Sequence, residues 1–94
     1  MGENRTIWVF NGVQSPFPSG VFTTRKLAES WIRDRDLTGT LTEYSLDVGM
    51  YEYAISKGIF SPKKDEHMTA LFIGKFTDGG VDHLHYEDGA LGHA

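Results

Sequence analysis

Residues 7–10 form the unbroken apolar run Ile-Trp-Val-Phe, which Asn11 and Gly12 bring to an end. Aromatic and β-branched residues favour strands. A run without polar alternation is typical of a strand that is covered on both faces and therefore lies inside its sheet. The run predicts a central strand, and the rest of the chain has to supply the sheet around it.

The next element is a helix that begins after Thr23 or Thr24 and ends near Asp36. Either threonine can accept a hydrogen bond at the helix start. Gly39 lies just beyond the end, where a left-handed residue often closes a helix. A loop at residues 14–20 and a short extended segment at residues 21–22 precede this helix. One apolar stripe at helical spacing predicts the buried face, namely Leu27, Ala28, Trp31 and Ile32.

A second strand and a short helix are predicted in the middle of the chain. Residues 40–46 are rich in β-forming side chains, with one face wetter than the other. Asp47 is a suitable N-cap for a helix over residues 48–57, and Gly58 closes it, with Ile59 placed for a Schellman contact. The expected buried stripe of this helix consists of Val48, Tyr51, Ala54 and Ile55.

The last third of the chain predicts a loop at residues 61–67 and then two strands. The strands cover residues 70–76 and 81–87, with a turn at residues 78–80 between them, and residues 89–94 form a flexible tail. The order of elements indicates an α+β fold: a small, mainly antiparallel sheet of about four strands with one main and one short helix packed on it. We expect a single domain over residues 1–94, with an ordered core at residues 5–88.

The net charge argues against nucleic-acid binding. The 94 residues carry 13 acidic and 9 basic side chains, a formal net charge of −4, which does not suit nucleic-acid binding. The excess of acidic side chains lies entirely within residues 78–94, which have four acids, no Lys or Arg, and three of the four histidines.

The chain has no cysteine for a disulfide. It has no apolar stretch near the ~20 residues that span a bilayer, and its start lacks a signal-peptide pattern. These features favour a cytoplasmic protein.

The segment from Asp82 to Asp88 is the strongest candidate for a metal site. In a strand, His83, His85 and Glu87 point to one face, and His67 is a candidate fourth ligand. Two imidazoles and a carboxylate suit a divalent metal. The alternative is an ordinary solvated face, with only the apolar residues of this strand pointing inward.

Phe17 is the strongest candidate for a partner contact. Pro16 and Pro18 restrict the backbone around it, so an apolar side chain would be presented at low entropic cost. The alternative is that Phe17 folds back over the core.

Patterns for catalysis are mostly missing. Residues 34–39 imitate the first half of a calcium-binding EF-hand loop, but Ser45 stands where the bidentate glutamate belongs. Residues 74–76 do not complete a phosphate-binding loop, and no serine lies in a nucleophile elbow.

Several segments together resemble a small family of bacterial single-domain proteins of unknown function. The resemblance implies a small, soluble bacterial domain, and it implies no activity, cofactor or site residue. The segments are Trp8-Val9-Phe10-Asn11-Gly12, Phe17-Pro18-Ser19-Gly20-Val21-Phe22, Ala28 with Trp31-Ile32, Gly39-Thr40-Leu41-Thr42-Glu43-Tyr44, Phe72-Ile73-Gly74 and His85-Tyr86-Glu87-Asp88-Gly89.

The sequence thus favours a non-enzymatic protein-interaction or regulatory module, a monomer or weak dimer without nucleic-acid or membrane contacts. Its predicted contact residues are Pro16, Phe17 and Pro18 in the loop, and Asp82 and Glu87 on the acidic strand. Two alternatives stay open: a divalent-metal-binding protein, and a small-molecule binder or enzyme with a pocket between sheet and helix.

Overall fold

The computed structural model describes residues 5–77 and 83–92. The chain forms two compact units, one made of residues 1–46 and 81–94 and the other of residues 47–80. The first holds the sheet and the main helix, and we call it the sheet unit. The second has three short helical segments in its described part, and we call it the helical unit.

The sheet has five strands in the order β2-β1-β3-β4-β5, and every neighbouring pair is antiparallel. Together with the helices, it confirms the predicted α+β fold. The strands are β1 (Thr6–Gly12), β2 (Gly20–Phe22), β3 (Gly39–Ser45), β4 (His83–Glu87) and β5 (Ala90–Leu91).

Helix α1 (Arg25–Asp34) covers one face of this sheet. Thr24 is the N-cap, and its side chain accepts a hydrogen bond of 3.1 Å from the Leu27 backbone N–H. Ala28 and Ile32 are fully buried and form one core cluster with three residues of the sheet, Phe10, Leu41 and Tyr86. Leu27 was expected in the buried stripe but is 56% exposed. Its place in the first turn leaves it at the margin of the face that Ala28 and Ile32 define.

The central position predicted for residues 7–10 is confirmed, because β1 lies between β2 and β3. Coverage on both faces is only partial. Phe10 is fully buried beneath α1, whereas Ile7 and Val9 point to the other face and are half-buried. The apolar run therefore reflects one packed face and one face with limited solvent contact.

Gly39 does not close α1, contrary to the expectation from its position. The left-handed residue after the helix is Asp36, with φ of 55°. Gly39 is instead the first residue of β3, opposite Gly12 in β1 and Tyr86 in β4. A Cβ atom at this position would lie 2.7 Å from the Phe10 ring and would also collide with the Asn11 carbonyl oxygen. Glycine is needed here because the strands approach the aromatic core closely.

The helical unit begins with α2 (Met50–Ser56). The predicted Schellman closure is confirmed. Gly58 has φ of 74°, its N–H donates to the Ile55 carbonyl at 3.0 Å, and the Ile59 N–H donates to Ala54 at 2.9 Å. The predicted N-cap is wrong, because Asp47 adopts φ of 65° and Gly49 is the cap residue.

Only part of the stripe expected in α2 is buried. Tyr51 and Ala54 are buried, whereas Val48 and Ile55 are exposed. The Tyr51 ring contacts a cluster of half-buried rings. Its hydroxyl donates a hydrogen bond of 2.9 Å to the His67 carbonyl. The rings of this aromatic cluster are those of Tyr51, Phe60, His67, Phe72 and Phe76.

The strand predicted at residues 70–76 is wrong, because this segment forms helix α3 (Ala70–Lys75). A 3₁₀ turn, Asp65–Met68, precedes it within the predicted loop region. Thr69 caps α3 by accepting a hydrogen bond of 3.2 Å from the Phe72 N–H. Helical geometry also places Phe72 and Phe76 on the same side, where both reach the aromatic cluster. Capping and ring packing override the strand propensity of these residues.

Strand β5 lies in the segment that was expected to be a frayed tail. Asp88 and Gly89 both have positive φ, 51° and 85°, and connect β4 to β5 in a two-residue hairpin of type I′ form. The Gly89 N–H donates to the Leu37 carbonyl at 2.8 Å, which ties the hairpin to the segment after α1. The turn predicted at residues 78–80 and the first two residues of the predicted last strand lie outside the described residues.

Candidate interaction surface

The two faces of the sheet differ in chemistry. Side chains of directly paired residues project from the same face, so the pairing Phe10–Leu41–Leu84 assigns these three residues to the α1 side. The opposite face combines apolar side chains with hydroxyl and imidazole groups. Its members are Ile7, Val9, Val21, Thr40, Thr42, Tyr44, His83, His85 and Glu87.

The predicted alternation along β4 agrees with the structure. His83, His85 and Glu87 are exposed, while Leu84 is half-buried and Tyr86 is buried. The two imidazole rings are 5.2 Å apart between centroids and perpendicular to each other. Each histidine also has a threonine as its direct partner on β3, because Thr40 pairs with His85 and Thr42 with His83.

Thr40 contacts its histidine directly, since its Oγ1 lies 3.4 Å from Nδ1 of His85. Thr40 had no predicted role in a site, because only strand pairing brings it beside His85. The two residues are 45 positions apart in the chain.

The third predicted histidine, His67, lies in the helical unit and has a structural environment of its own. Its Nδ1 accepts hydrogen bonds from the backbone N–H groups of Lys63 at 3.1 Å and Lys64 at 3.3 Å. Its ring packs against Phe60 and Phe72. His67 therefore holds the loop before α3 against the aromatic cluster, with Nδ1 already engaged.

Within residues 5–77 and 83–92, no three His, Asp or Glu side chains are grouped in a way that could hold a metal ion. The structure brings together two of the predicted ligands, His83 and His85, and leaves Glu87 on the same face. Asp82, predicted as a partner contact, lies outside the described residues. Metal binding stays a prediction that rests on the two imidazoles.

Phe17 lies on the loop between β1 and β2 and is 74% exposed. The alternative that it folds back over the core is therefore wrong. Hydrogen bonds within the loop hold its backbone: the Ser15 hydroxyl donates to the Phe17 carbonyl at 2.8 Å, and the Ser19 N–H donates to the Phe10 carbonyl at 2.8 Å. Pro16 and Pro18, on either side, are exposed as well.

A shallow cleft of about 310 Å³ joins the start of this loop to the histidine strand. Val13, the first residue after β1, lines one part of it and is exposed, and His85 lines another part. Sequence reasoning missed most of the lining, because strand ends from three parts of the chain form it. The lining residues are Asn11, Gly12, Val13, Thr38, Gly39, Thr40, His85 and Tyr86.

Tyr86 fixes β4 to α1 through a carboxylate. Its hydroxyl donates to Oε2 of Glu29 at 2.5 Å, and Nε of Arg25 donates to the same oxygen at 3.1 Å. The hydrogen bond from Tyr86, followed by that from Arg25, lowers the pKa of Glu29. Burial and the neighbouring carboxylate raise the pKa of Tyr86, and the hydrogen bond to Glu29 raises the pKa of Arg25. Each of these three side chains has a hydrogen-bond partner within the network, and the network holds β4 against α1.

These features define a small α+β protein in which an antiparallel sheet carries a helix on one face and histidines on the other. The chain belongs to the family DUF7710, a domain of unknown function, whose model matches residues 7–92. This confirms the predicted membership of a family of unknown function, while bacterial origin stays a prediction. No curated protein and no solved structure gives a significant match. In the described part of the chain, no helix is both long enough and apolar enough to span a bilayer.

Proposed function

We propose that this protein is a non-enzymatic protein-interaction module that binds its partner through the loop carrying Phe17 and the outward side chains of β4. The observation that carries the proposal is the 74% exposure of Phe17 on a loop held by its own hydrogen bonds. A large apolar side chain that contributes so little to the core is available for an intermolecular contact.

The loop supports such a contact on energetic grounds. Binding normally costs free energy because loops and side chains lose freedom at an interface. Two prolines and the hydrogen bonds of Ser15 already restrict the Phe17 backbone, which reduces that cost. Aromatic side chains that fill a pocket on the partner supply much of the binding energy in known interfaces.

The charge of the segment that contains β4 indicates the chemistry of the partner. Residues 78–94 carry a formal charge of −4, and Glu87 and Asp88 are both exposed. A protein with an apolar pocket and Lys or Arg residues around it would complement Phe17 and this acidic segment together. As the site of this interaction we propose the cytoplasm, consistent with a sequence that has no cysteine.

Site-specific photocrosslinking in the native cell tests this proposal. A benzoylphenylalanine residue at position 17 should crosslink to one protein partner, whereas the same residue at position 27, another exposed apolar site, should not. With the partner identified, Phe17→Ala should weaken its binding by at least about tenfold and Leu27→Ala by less than about twofold. If Phe17→Ala and a charge reversal at Asp82 and Glu87 both leave the partner bound, the proposal is wrong.

Divalent-metal binding by His83 and His85 is the second candidate function. It is favoured by the 5.2 Å separation of their exposed rings on one face. Calorimetric titration with zinc should then give saturable heat that His85→Asn removes. Absence of heat at micromolar protein would eliminate this candidate and leave the interaction through Phe17 unaffected.

A further inference from the structure

The helical unit has an exposed apolar surface of its own, the α3 face, which surrounds a cleft of about 440 Å³. Leu71 lines this cleft and is 72% exposed, and the lining includes Phe72 and Phe76, two rings of the aromatic cluster. Cavities of this size accommodate apolar side chains or small ligands. The lining residues are Glu66, Thr69, Leu71, Phe72, Lys75, Phe76 and Thr77.

Opposite charges lie at the two ends of this surface. Glu66 belongs to the 3₁₀ turn before α3, and Lys75 is the last residue of the helix. Leu71 and Phe72 lie between these two residues in the sequence, and all four residues line the same cleft. In the part of the chain that the structure describes, the salt bridges are Arg25–Glu29 and Arg33–Asp34. Neither Glu66 nor Lys75 takes part in them.

We propose that the α3 face is a self-association surface, and that a second copy of this chain packs on it around a two-fold axis. In such an interface the same patch faces itself, and residue i contacts residue j while j contacts i. An antiparallel arrangement of the two α3 helices places Glu66 opposite the partner's Lys75 and, by symmetry, Lys75 opposite the partner's Glu66. Leu71 then enters the cleft of the second copy, and the partner's Leu71 enters this one.

The charge pattern selects a second copy over other occupants. A uniformly acidic or basic partner would meet a like charge at one end of the cleft, which disfavours binding. A purely apolar ligand would leave Glu66 and Lys75 without a role. Only a surface with the same two charges in the reverse direction matches both ends, and this chain supplies one. The small area of a six-residue helix gives a weak dimer.

Charge reversal with rescue tests the arrangement. Sedimentation velocity of the full chain from about 1 μM to 1 mM should show a concentration-dependent dimer. Glu66→Lys and Lys75→Glu should each weaken dimerisation by at least about tenfold, because both create like-charged pairs across the two-fold axis. The double variant restores opposite pairs and should dimerise within about threefold of the unmodified chain.

Asp65→Lys is the matched control, because it changes the net charge as Glu66→Lys does but lies outside the cleft. It should leave the dimer unchanged. Leu71→Asp should abolish the dimer, while circular dichroism confirms that each variant is folded. A monomer at every concentration overturns the proposal. So does a dimer that single reversals leave intact, or a double variant that fails to recover. These outcomes are independent of binding through Phe17, which lies in the sheet unit.

Discussion

The interior of the sheet unit and the interior of the helical unit are packed in different ways. In the sheet unit, Phe10, Ile32 and Leu41 are almost completely excluded from solvent and come from three separate elements. In the helical unit, Tyr51 and Ala54 are buried, and the rest of the interior consists of half-buried rings in short, neighbouring segments. Dense burial between distant segments produces large mutational costs, whereas local ring contacts produce smaller and more distributed ones.

The largest effect expected is in the core of the sheet unit. Ile32→Ala should lower the free energy of unfolding by about 2–5 kcal/mol, because it leaves a cavity between α1 and the sheet. Chemical denaturation followed by circular dichroism measures this loss. Leu71→Ala is the comparison variant, since an exposed leucine should contribute less than about 0.5 kcal/mol. Equal losses for the two variants would contradict the difference in burial between Ile32 and Leu71.

A smaller effect, dependent on pH, is expected from the contact between Tyr86 and α1. Tyr86→Phe removes a hydrogen bond to a carboxylate and should cost about 1.5–3 kcal/mol near pH 7. The pKa of Glu29 is lowered in the folded state, so the stabilisation is present above its unfolded pKa and is lost as the pH falls through the folded pKa.

Unfolding measured from about pH 7 to pH 3 should therefore show the two proteins converging in stability at the acidic end. Glu29→Gln is the control, and it should remove the same pH dependence. A difference between Tyr86→Phe and the unmodified chain that stays constant across this range would show that Glu29 does not stabilise β4 through its charge.

The smallest effect is expected at the start of α3. Thr69→Ala removes the side chain that accepts from the Phe72 N–H, and loss of such a cap costs about 1 kcal/mol. Hydrogen exchange should increase at Phe72 and Ile73 while the protection of β1 and β3 stays unchanged. Thr69→Ser, which keeps the hydroxyl, should preserve the protection of α3. An increase spread evenly over the sheet would indicate that the two units do not open separately.

The accuracy of the sequence predictions varies along the chain. In the sheet unit, the central position of residues 7–10, the burial of Ala28 and Ile32 and the alternation of β4 were predicted because each pattern extends over several residues. The burial of Leu27, the closure of α1 by Gly39 and a tail in place of β5 were wrong. In the helical unit, the segment at residues 70–76 is short and rich in β-forming side chains, so local propensity favoured the wrong element. The cap at Thr69 and the spacing of Phe72 and Phe76 were the available signals for a helix.

The candidate surface was predictable only in part. The common face of His83 and His85 follows from strand alternation. The exposure of Phe17 was one of two alternatives that the sequence left open. Thr40 and Val13 join that surface through strand pairing, which a single sequence does not specify. The Asp88-Gly89 pair was a readable hairpin signal, and its omission left β5 unpredicted.

Strands β3 and β4 are direct neighbours in the sheet, although residues 46–82 separate them in the chain. In terms of connectivity, the whole helical unit is thus the connecting loop of one β-hairpin. In that hairpin, Leu41 is paired with Leu84 on the face that α1 covers. Because closure entropy grows only logarithmically with loop length, doubling or halving the insert would change the cost by only about 0.6 kcal/mol. A change in the length of this segment would therefore cost the sheet little closure entropy.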